Sequence, residues 1–276
     1  VYVNSYEKRQ GPLDPNVRQL LLQVSASSMD RLLKPKRVLS PRRRCHPMGV
    51  AAVRKEVPIR AGEWQVTEPG WMEADTVAHC GGNMAGNFVW SLTMTDILTE
   101  WTEIRVMWNR GAAATFERIK DIEQILPFSM RGFDSDNGPE FMNWHLLDYC
   151  RTAFRPISFT RSRPYQKNDN AHVEQKNGTH VRGLLGHERI EDPECVEALN
   201  QAIRQWSLWK NLYSPVMKLV SKKHIGHRYR KRYDRPRTPA QRVLECSLVS
   251  KDQKARIRAW LATTDCFTLK QNVETA

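Results

Sequence analysis

The sequence has no apolar run of the ~18 residues that a membrane span needs, and no amphipathic stretch carries a Lys/Arg face, so no membrane association is expected. Cysteine is sparse. Cys45, Cys80, Cys150, Cys195, Cys246 and Cys266 are widely spaced with no C-x-x-C pair, which argues against a zinc finger and a disulfide framework and favours a reducing compartment. No signal peptide opens the chain, and a start at Val1 without Met is expected of a sequence that begins inside a longer one. Acid is the scarcer charge: 43 Lys and Arg stand against 30 Asp and Glu, a net charge of +13 at pH 7. That balance favours a polyanionic partner, nucleic acid before membrane. The 276 residues allow one sizeable core with flanking segments.

What is present centres on Phe133-Asp134-Ser135-Asp136-Asn137-Gly138-Pro139-Glu140-Phe141. An apolar approach reads as the end of a buried strand. Asn-Gly-Pro then breaks it, because Gly accepts a positive φ and Pro cannot donate to a ladder. Asp136 is thereby held at a fixed exit point. Upstream, Asn16 to Gln23 has helical spacing at Val17, Leu20 and Leu21, and Met29, Leu32 and Leu33 resume it after a polar turn, with Ser25 or Ser27 as cap. The pair reads as a partial helix-turn-helix over residues 1–40, or equally as two packed helices with no DNA role. Seven basic residues between Arg31 and Arg44, Arg42, Arg43 and Arg44 among them, have no acid in their midst, which favours the first reading and a basic linker over 41–62.

From about Glu63 the pattern is mixed α/β. Trp71 to Ala78, Asn87 to Asp96 and Thr102 to Asn109 read as three strands of an antiparallel meander. A helix over Ala112 to Leu126, a strand over Phe128 to Asp134, a helix over Phe141 to Thr152 and a strand over Ile157 to Thr160 follow. Asp169 or Asn170 can cap a helix from Ala171 to Leu185, and a further helix spans Pro193 to Tyr213. This order predicts a ribonuclease H-like mixed five-stranded sheet flanked by helices, with the core over 63–213. Residues 214–276 form a basic C-terminal region: ten Lys/Arg between Lys218 and Arg242, Arg230, Lys231 and Arg232 included, oppose Asp234 alone. Such a segment is a phosphate-binding surface or arm, and Lys251 to Leu261 reads as a closing helix.

Three acids fall on separate elements: Asp75 lies in the first strand, Asp136 ends the fourth, and Glu174 sits in the first turn of the helix after the last strand. Ala171, Gly178 and Val181 share the face of Glu174, so the carboxylate is expected on a side that can lie against the sheet. Three hard oxygen ligands suit Mg²⁺ or Mn²⁺, and two such ions can assist both oxygens of a phosphodiester displacement. Glu73 and Asp134 compete for the strand positions, and any one of these acids alone could be a surface residue.

Ser135 to Phe141, with Pro164-Tyr165-Gln166-Lys167-Asn168-Asp169-Asn170-Ala171-His172-Val173-Glu174-Gln175-Lys176-Asn177-Gly178 downstream, resembles the integrase core of bacterial insertion-sequence transposases and retroviral integrases, the Asp-Asp-Glu group. The 38-position step from Asp136 to Glu174 is similar to that family's spacing, and Glu73-Ala74-Asp75-Thr76-Val77 resembles its first-acid strand. The resemblance covers about Trp64 to Tyr213 and extends to Met217-Lys218-Leu219 and Lys231-Arg232-Tyr233-Asp234 in the tail. It implies that Asp75, Asp136 and Glu174 are catalytic ligands of two Mg²⁺ or Mn²⁺ ions. It further implies double-stranded DNA, element ends and target alike, as substrate, a homo-oligomer on that DNA, and a cytoplasmic, nucleoid-associated place in a bacterial cell. Retroviral integrases carry a His/Cys zinc module that has no counterpart here. The expected activity is metal-dependent end cleavage followed by strand transfer; the alternatives are a DNA-binding relic without transposition and a nuclease that only hydrolyses.

Arg161, Arg163 and Lys167 in the polar loop are placed to hold a DNA end, and Asn177, one turn beyond Glu174, to touch DNA near the metals. Lys176 lies roughly opposite Glu174 around the helix and so points away from them. His79 and Cys80 could ligate a metal but lack partners in the sequence.

Overall fold

The computed structural model describes residues 2–25, 27–29, 31–33, 48–60, 64–164 and 166–275. They divide into two compact units, Val1–His46 and Pro47–Ala276. In the first, α1 (Tyr2–Gln10) and α2 (Pro15–Gln23) are joined by a short turn. Asp14 caps α2 by accepting from the Asn16 and Val17 amides at 2.9 and 3.3 Å, and Pro15 suits the first turn, where its missing N–H has no partner to lose. Arg18 ties α2 to Glu7 of α1 at 3.1 Å. Of the two candidate caps for the next helical residues, Ser25 acts: its hydroxyl accepts from the Ser28 amide at 3.1 Å. Leu20, Leu22 and Leu32 are exposed.

The second unit is built on a mixed sheet of β1 (Trp71–Ala78), β2 (Trp90–Asp96), β3 (Thr102–Met107), β4 (Gly132–Ser135) and β5 (Ser158–Arg161), in the order β3-β2-β1-β4-β5. β2 runs antiparallel to β1 and β3, whereas β1, β4 and β5 are parallel. This is the ribonuclease H-like arrangement that the element order predicts. Side chains alternate along β1, so Met72 and Ala74 go to one face and Glu73, Asp75 and Val77 to the other. The first face packs Met72, Leu92, Met94 and Phe133 against α4 (Ala112–Ile125) and α5 (Trp144–Thr152) through Ile119, Ile122, Leu146 and Leu147. On the second, Val77, Val89, Ile104 and Val106 meet Val181 and Ile203, from α6 (starting as Ala171–Lys176) and α7 (Cys195–Tyr213). Each apolar side chain buried in this way stabilises the fold by roughly 1.5–3 kcal/mol.

Several boundaries differ from the sequence pattern. β4 is four residues long rather than starting at Phe128, because Arg131 and Gly132 both donate backbone N–H to Gly70 O, so Phe128 and Met130 fill the core from a loop. α5 begins at Trp144, where Asn143 accepts from the Leu146 amide at 3.0 Å; Gly138 to Met142 is a turn instead. α6 widens into a π turn over Asn177–Arg182 before its last turn, Gly183–Leu185. The second half of the expected linker is α3 (Met48–Glu56), with Val53 and Val57 buried in the core. Beyond α7 the basic segment forms a hairpin, β6 (Leu219–Ile225) and β7 (Arg228–Tyr233), followed by α8 (Pro239–Glu245), α9 (Lys251–Thr263) and α10 (Cys266–Thr275). Capping boxes at Thr238 and Ser250 start α8 and α9. Among the described residues no helix is long and apolar enough to cross a membrane.

Candidate active site

The acids of β1 and β4 occupy two rows on the second face of the sheet. Glu73 and Asp134 are register partners and make the first row. Glu73 Oε2 accepts from the backbone N–H of His172 and Val173 at 3.1 and 3.2 Å, and Oε1 from Trp64 Nε1 at 2.8 Å. Asp134 accepts from Thr160 Oγ1 at 2.6 Å and Arg60 Nη2 at 3.1 Å. Both competitors for the strand positions are thus buried and hydrogen-bonded, and Glu73 caps α6. The two expected caps do something else: Asn170 makes no side-chain cap bond, and Asp169 holds Arg163 at 2.7 and 2.8 Å.

The second row lies two residues further on. Asp75 Oδ1 accepts from its neighbour Thr76 N and Oδ2 from Asn177 Nδ2, both at 2.8 Å. Burial, then the negative charges of Asp136 and Glu174, push its carboxyl up to about 7, so both of those acids lie close enough to bear on Asp75. Asp136 is the first residue past β4, and its Oδ1 accepts from Gly138 N at 2.8 Å, the turn that Asn-Gly implied. Glu174 stands in the first turn of α6 but is exposed, with Ala171 and Gly178 beside it; the buried stripe is Val173, Lys176, His180 and Val181. The expectation that Glu174 rises from a face laid on the sheet is thus corrected to the rim of that face. The π turn resets the helical phase after Lys176, which brings Val181 inward while Gly178 stays out.

Among the described residues no group of three His, Cys, Asp or Glu side chains stands at metal-holding distance. Asp75 and Asp136 are each turned onto a local donor. The donor chemistry nevertheless fits a hard divalent cation. Around the three carboxylates, Asn177 Oδ1, Asn170 Oδ1 and Glu140 Oε2 are buried oxygens without a hydrogen-bond partner.

A cleft of about 530 Å³ opens beside these acids, with Asp136 and Glu174 on its wall together with Arg54, Asn137, Arg161 and Arg163. Arg161 donates from Nη1 to Asn137 Oδ1 at 2.9 Å and from Nε to Val57 O at 3.0 Å. Arg163 reaches the cleft while ion-paired to Asp169. The backbone of Lys167 sits in a 3-10 turn, Lys167–Asn170, and its side chain lies outside the described part; Arg42, Arg43 and Arg44 also lie outside the described residues. Asn177 is bound to Asp75, and Lys176 is buried in an ion pair with Glu100 at 2.9 Å. Arg230, Lys231 and Arg232 are exposed on β7. His79 is buried against Ser91 Oγ at 2.7 Å, and burial, then the Arg182 charge, lower it to about 4. Two residues escaped the sequence reading. Arg54 belongs to a helix within the expected linker, and Glu140, without a role in that reading, is buried between Thr76 Oγ1 at 3.1 Å and Arg110 at 3.4 Å.

A mixed sheet in this order, with Asp75 within β1, Asp136 just past the parallel β4 and Glu174 on α6, defines an integrase-like fold of the ribonuclease H-like class. No family model matches the chain. It is 40% identical over 239 residues to "Uncharacterized protein y4rM" of Sinorhizobium fredii (strain NBRC 101917 / NGR234), across 85% of this chain and 68% of that protein, and it belongs to the y4rM family. Among solved structures, the HTLV-2 integrase catalytic core domain in complex with magnesium aligns at TM-score 0.40 and 14% identity, covering 54% of this chain and 90% of that one. The catalytic core domain of BIV integrase aligns at 0.40 and 15%, covering 62% and 91%. A simian T-cell lymphotropic virus intasome in complex with PP2A regulatory subunit B56 gamma aligns at 0.43 and 14%, covering 64% and 70%.

Proposed function

We propose that the protein is a DNA transposase of the integrase-core type, which cuts at the ends of a mobile element and joins the exposed 3′-hydroxyls to target DNA. The observation that carries this reading is the half-buried Asp75 carboxyl beside Asp136 and Glu174, raised to about 7 by loss of solvent and by those two charges, three acids delivered by three elements. The motif resemblance around Asp136 and Glu174 supports it, as does the net charge of +13.

Asp75, Asp136 and Glu174 would hold two Mg²⁺ or Mn²⁺ ions. Once bound, these ions supply the positive charge that activates the attacking oxygen and stabilises the leaving one. The rest falls to the chain itself. Asn177 fixes the rotamer of Asp75 through Oδ2, and the Asn137-Gly138 turn fixes that of Asp136. Arg161, Arg163 and Lys167 hold the DNA end, and the basic β6–β7 hairpin with Arg230, Lys231 and Arg232 follows the backbone beyond it. Both steps are phosphoryl transfers without a covalent protein intermediate. The working form is a homo-oligomer on double-stranded DNA.

The test incubates the protein with labelled duplex from the flanks of its own gene, a supercoiled plasmid, and Mg²⁺ or Mn²⁺. Joined products are expected. Nicked products alone would leave a hydrolytic nuclease, and shifted but uncut DNA a binding relic. Asp136→Asn should abolish cleavage and joining, a loss of at least about three decades if it removes a ligand of the reacting centre, and leave duplex binding in place; retained joining would sink the assignment.

A further inference from the structure

We propose that Arg54 and Arg161 form a phosphodiester-binding subsite on the wall of the cleft beside Asp136. The proposal rests on the DNA reading above and names a contact that the sequence did not offer, since Arg54 lies on α3, outside the expected core.

Both guanidinium groups are fastened to one residue. Arg54 Nη2 donates to the Asn137 carbonyl oxygen, and Arg161 Nη1 donates to Asn137 Oδ1 at 2.9 Å. Asn137 directly follows Asp136, so the two cations are held one residue from the candidate reacting centre. Their closeness has an electrostatic signature: burial, then the charge of Arg54, lowers the affinity of Arg161 for its proton. Two like charges at such range repel unless an anion lies between them. Other arginines of this unit have one. Arg163 pairs with Asp169, Arg105 with Asp121 and Arg242 with Asp234. Among the described residues no carboxylate pairs with Arg54 or Arg161, and Arg54 Nε is buried without a hydrogen-bond partner. Both arginines line a cleft of about 530 Å³ that Asp136 and Glu174 share.

A phosphate group answers each of these features. Its non-bridging oxygens accept in the fork geometry that guanidinium presents, and one negative charge relieves both cations. The acidic wall cannot itself attract a bare phosphate. The subsite therefore takes the phosphodiester next to the one at the carboxylates, and orients the strand for attack.

The experiment measures binding of a fluorescent duplex to the full chain in EDTA across a range of KCl. Wild type, Arg54→Gln, Arg161→Gln, the double variant, Arg54→Lys/Arg161→Lys and the surface control Arg258→Gln are compared, each checked by thermal melting. One lost phosphate contact lowers the slope of log Kd against log salt by about 0.9. The double Gln variant should lose about that much slope and weaken roughly tenfold at fixed salt. The Lys pair should keep the slope but bind less tightly, because the charge stays and the fork is lost, and Arg258→Gln should change neither. An unchanged slope in the double variant, or an equal loss in Arg258→Gln, overturns the subsite while leaving the DNA reading intact. Failure of the wild type to bind duplex overturns the reading itself. Displacement of duplex by inorganic phosphate, under conditions where KCl of equal ionic strength does nothing, would assign the subsite to free phosphate and overturn its assignment to the DNA backbone.

Discussion

Asp75 shows how a single side chain reports on its surroundings. Its carboxyl, ordinarily at 3.8, is lifted to about 7, chiefly by burial and then by two neighbouring acids. Between those values the folded protein keeps a proton that the unfolded chain has released. Folding then takes up a proton, so stability must fall as pH rises across that window and level off above it. Thermal melting in EDTA should follow that course, and Asp75→Asn should flatten the slope and raise the melting temperature at pH 8. The same variant should lose divalent-ion binding, since an amide cannot supply the charge. A slope that persists in Asp75→Asn would mean that another group sets the pH dependence.

At the scale of elements, the question is what places Glu174 beside Asp75, and the answer is Glu73. A strand residue caps a helix that follows about a hundred positions later, and so fixes the helix start two residues before Asp75 along the same strand. Glu73→Ala leaves two backbone N–H groups, that of Val173 buried and that of His172 part-buried, and Trp64 Nε1 without an acceptor, which costs about 2–4 kcal/mol by the usual penalty for such groups. Chemical denaturation checks this, and Glu73→Gln, which keeps an acceptor oxygen, should recover part of it. A purely structural loss would stop there. If Glu73 sets the register of Glu174, Glu73→Ala should also raise the Mn²⁺ concentration needed for half-saturation by 10- to 100-fold, the usual cost of losing a support behind a ligand. The strands were legible because alternation on β1 to β3 and the Asn-Gly-Pro break after β4 are local signals. The cap was not: its partners are far apart in sequence, and Glu73 differs from Asp75 only in what tertiary packing brings to it. The π turn left no mark in the pattern either, which is why Glu174 was expected on the wrong side of its stripe. Likewise α3 hid in a basic stretch, because two valines suffice to anchor it.

At the scale of the whole molecule, charge is concentrated where the core is absent. Every residue of β7 is exposed, and cross-strand register puts Arg228, Arg230, Arg232 and Lys223 on one face of the hairpin and Lys222, Lys231, His224 and Tyr229 on the other. The hairpin buries little of its own and is held at its base. Asp234 accepts from Arg242 at 2.6 and 3.1 Å, from Arg237 at 3.0 Å and from the Lys218 amide at 2.7 Å, while Lys218 Nζ reaches the carbonyls of Ile97 and Leu98 beside β2. A ribbon with a fixed root and two charged faces can enter a major groove, which admits a two-stranded ribbon, and only one face meets base edges there while the other meets backbone or solvent. The faces are therefore predicted to differ. Replacing Arg228, Arg230 and Arg232 by Gln should lower the salt slope of duplex binding by about 2.7, at 0.9 per phosphate lost, whereas Lys222→Gln/Lys231→Gln should lower it by less than half as much. Asp234→Ala supplies the complementary measurement, because it frees the root without touching either face. Amide exchange should quicken across β6 and β7 and stay slow in β1 to β5, and duplex binding should weaken with its salt slope unchanged, since the same phosphates are met by a ribbon that must first be ordered.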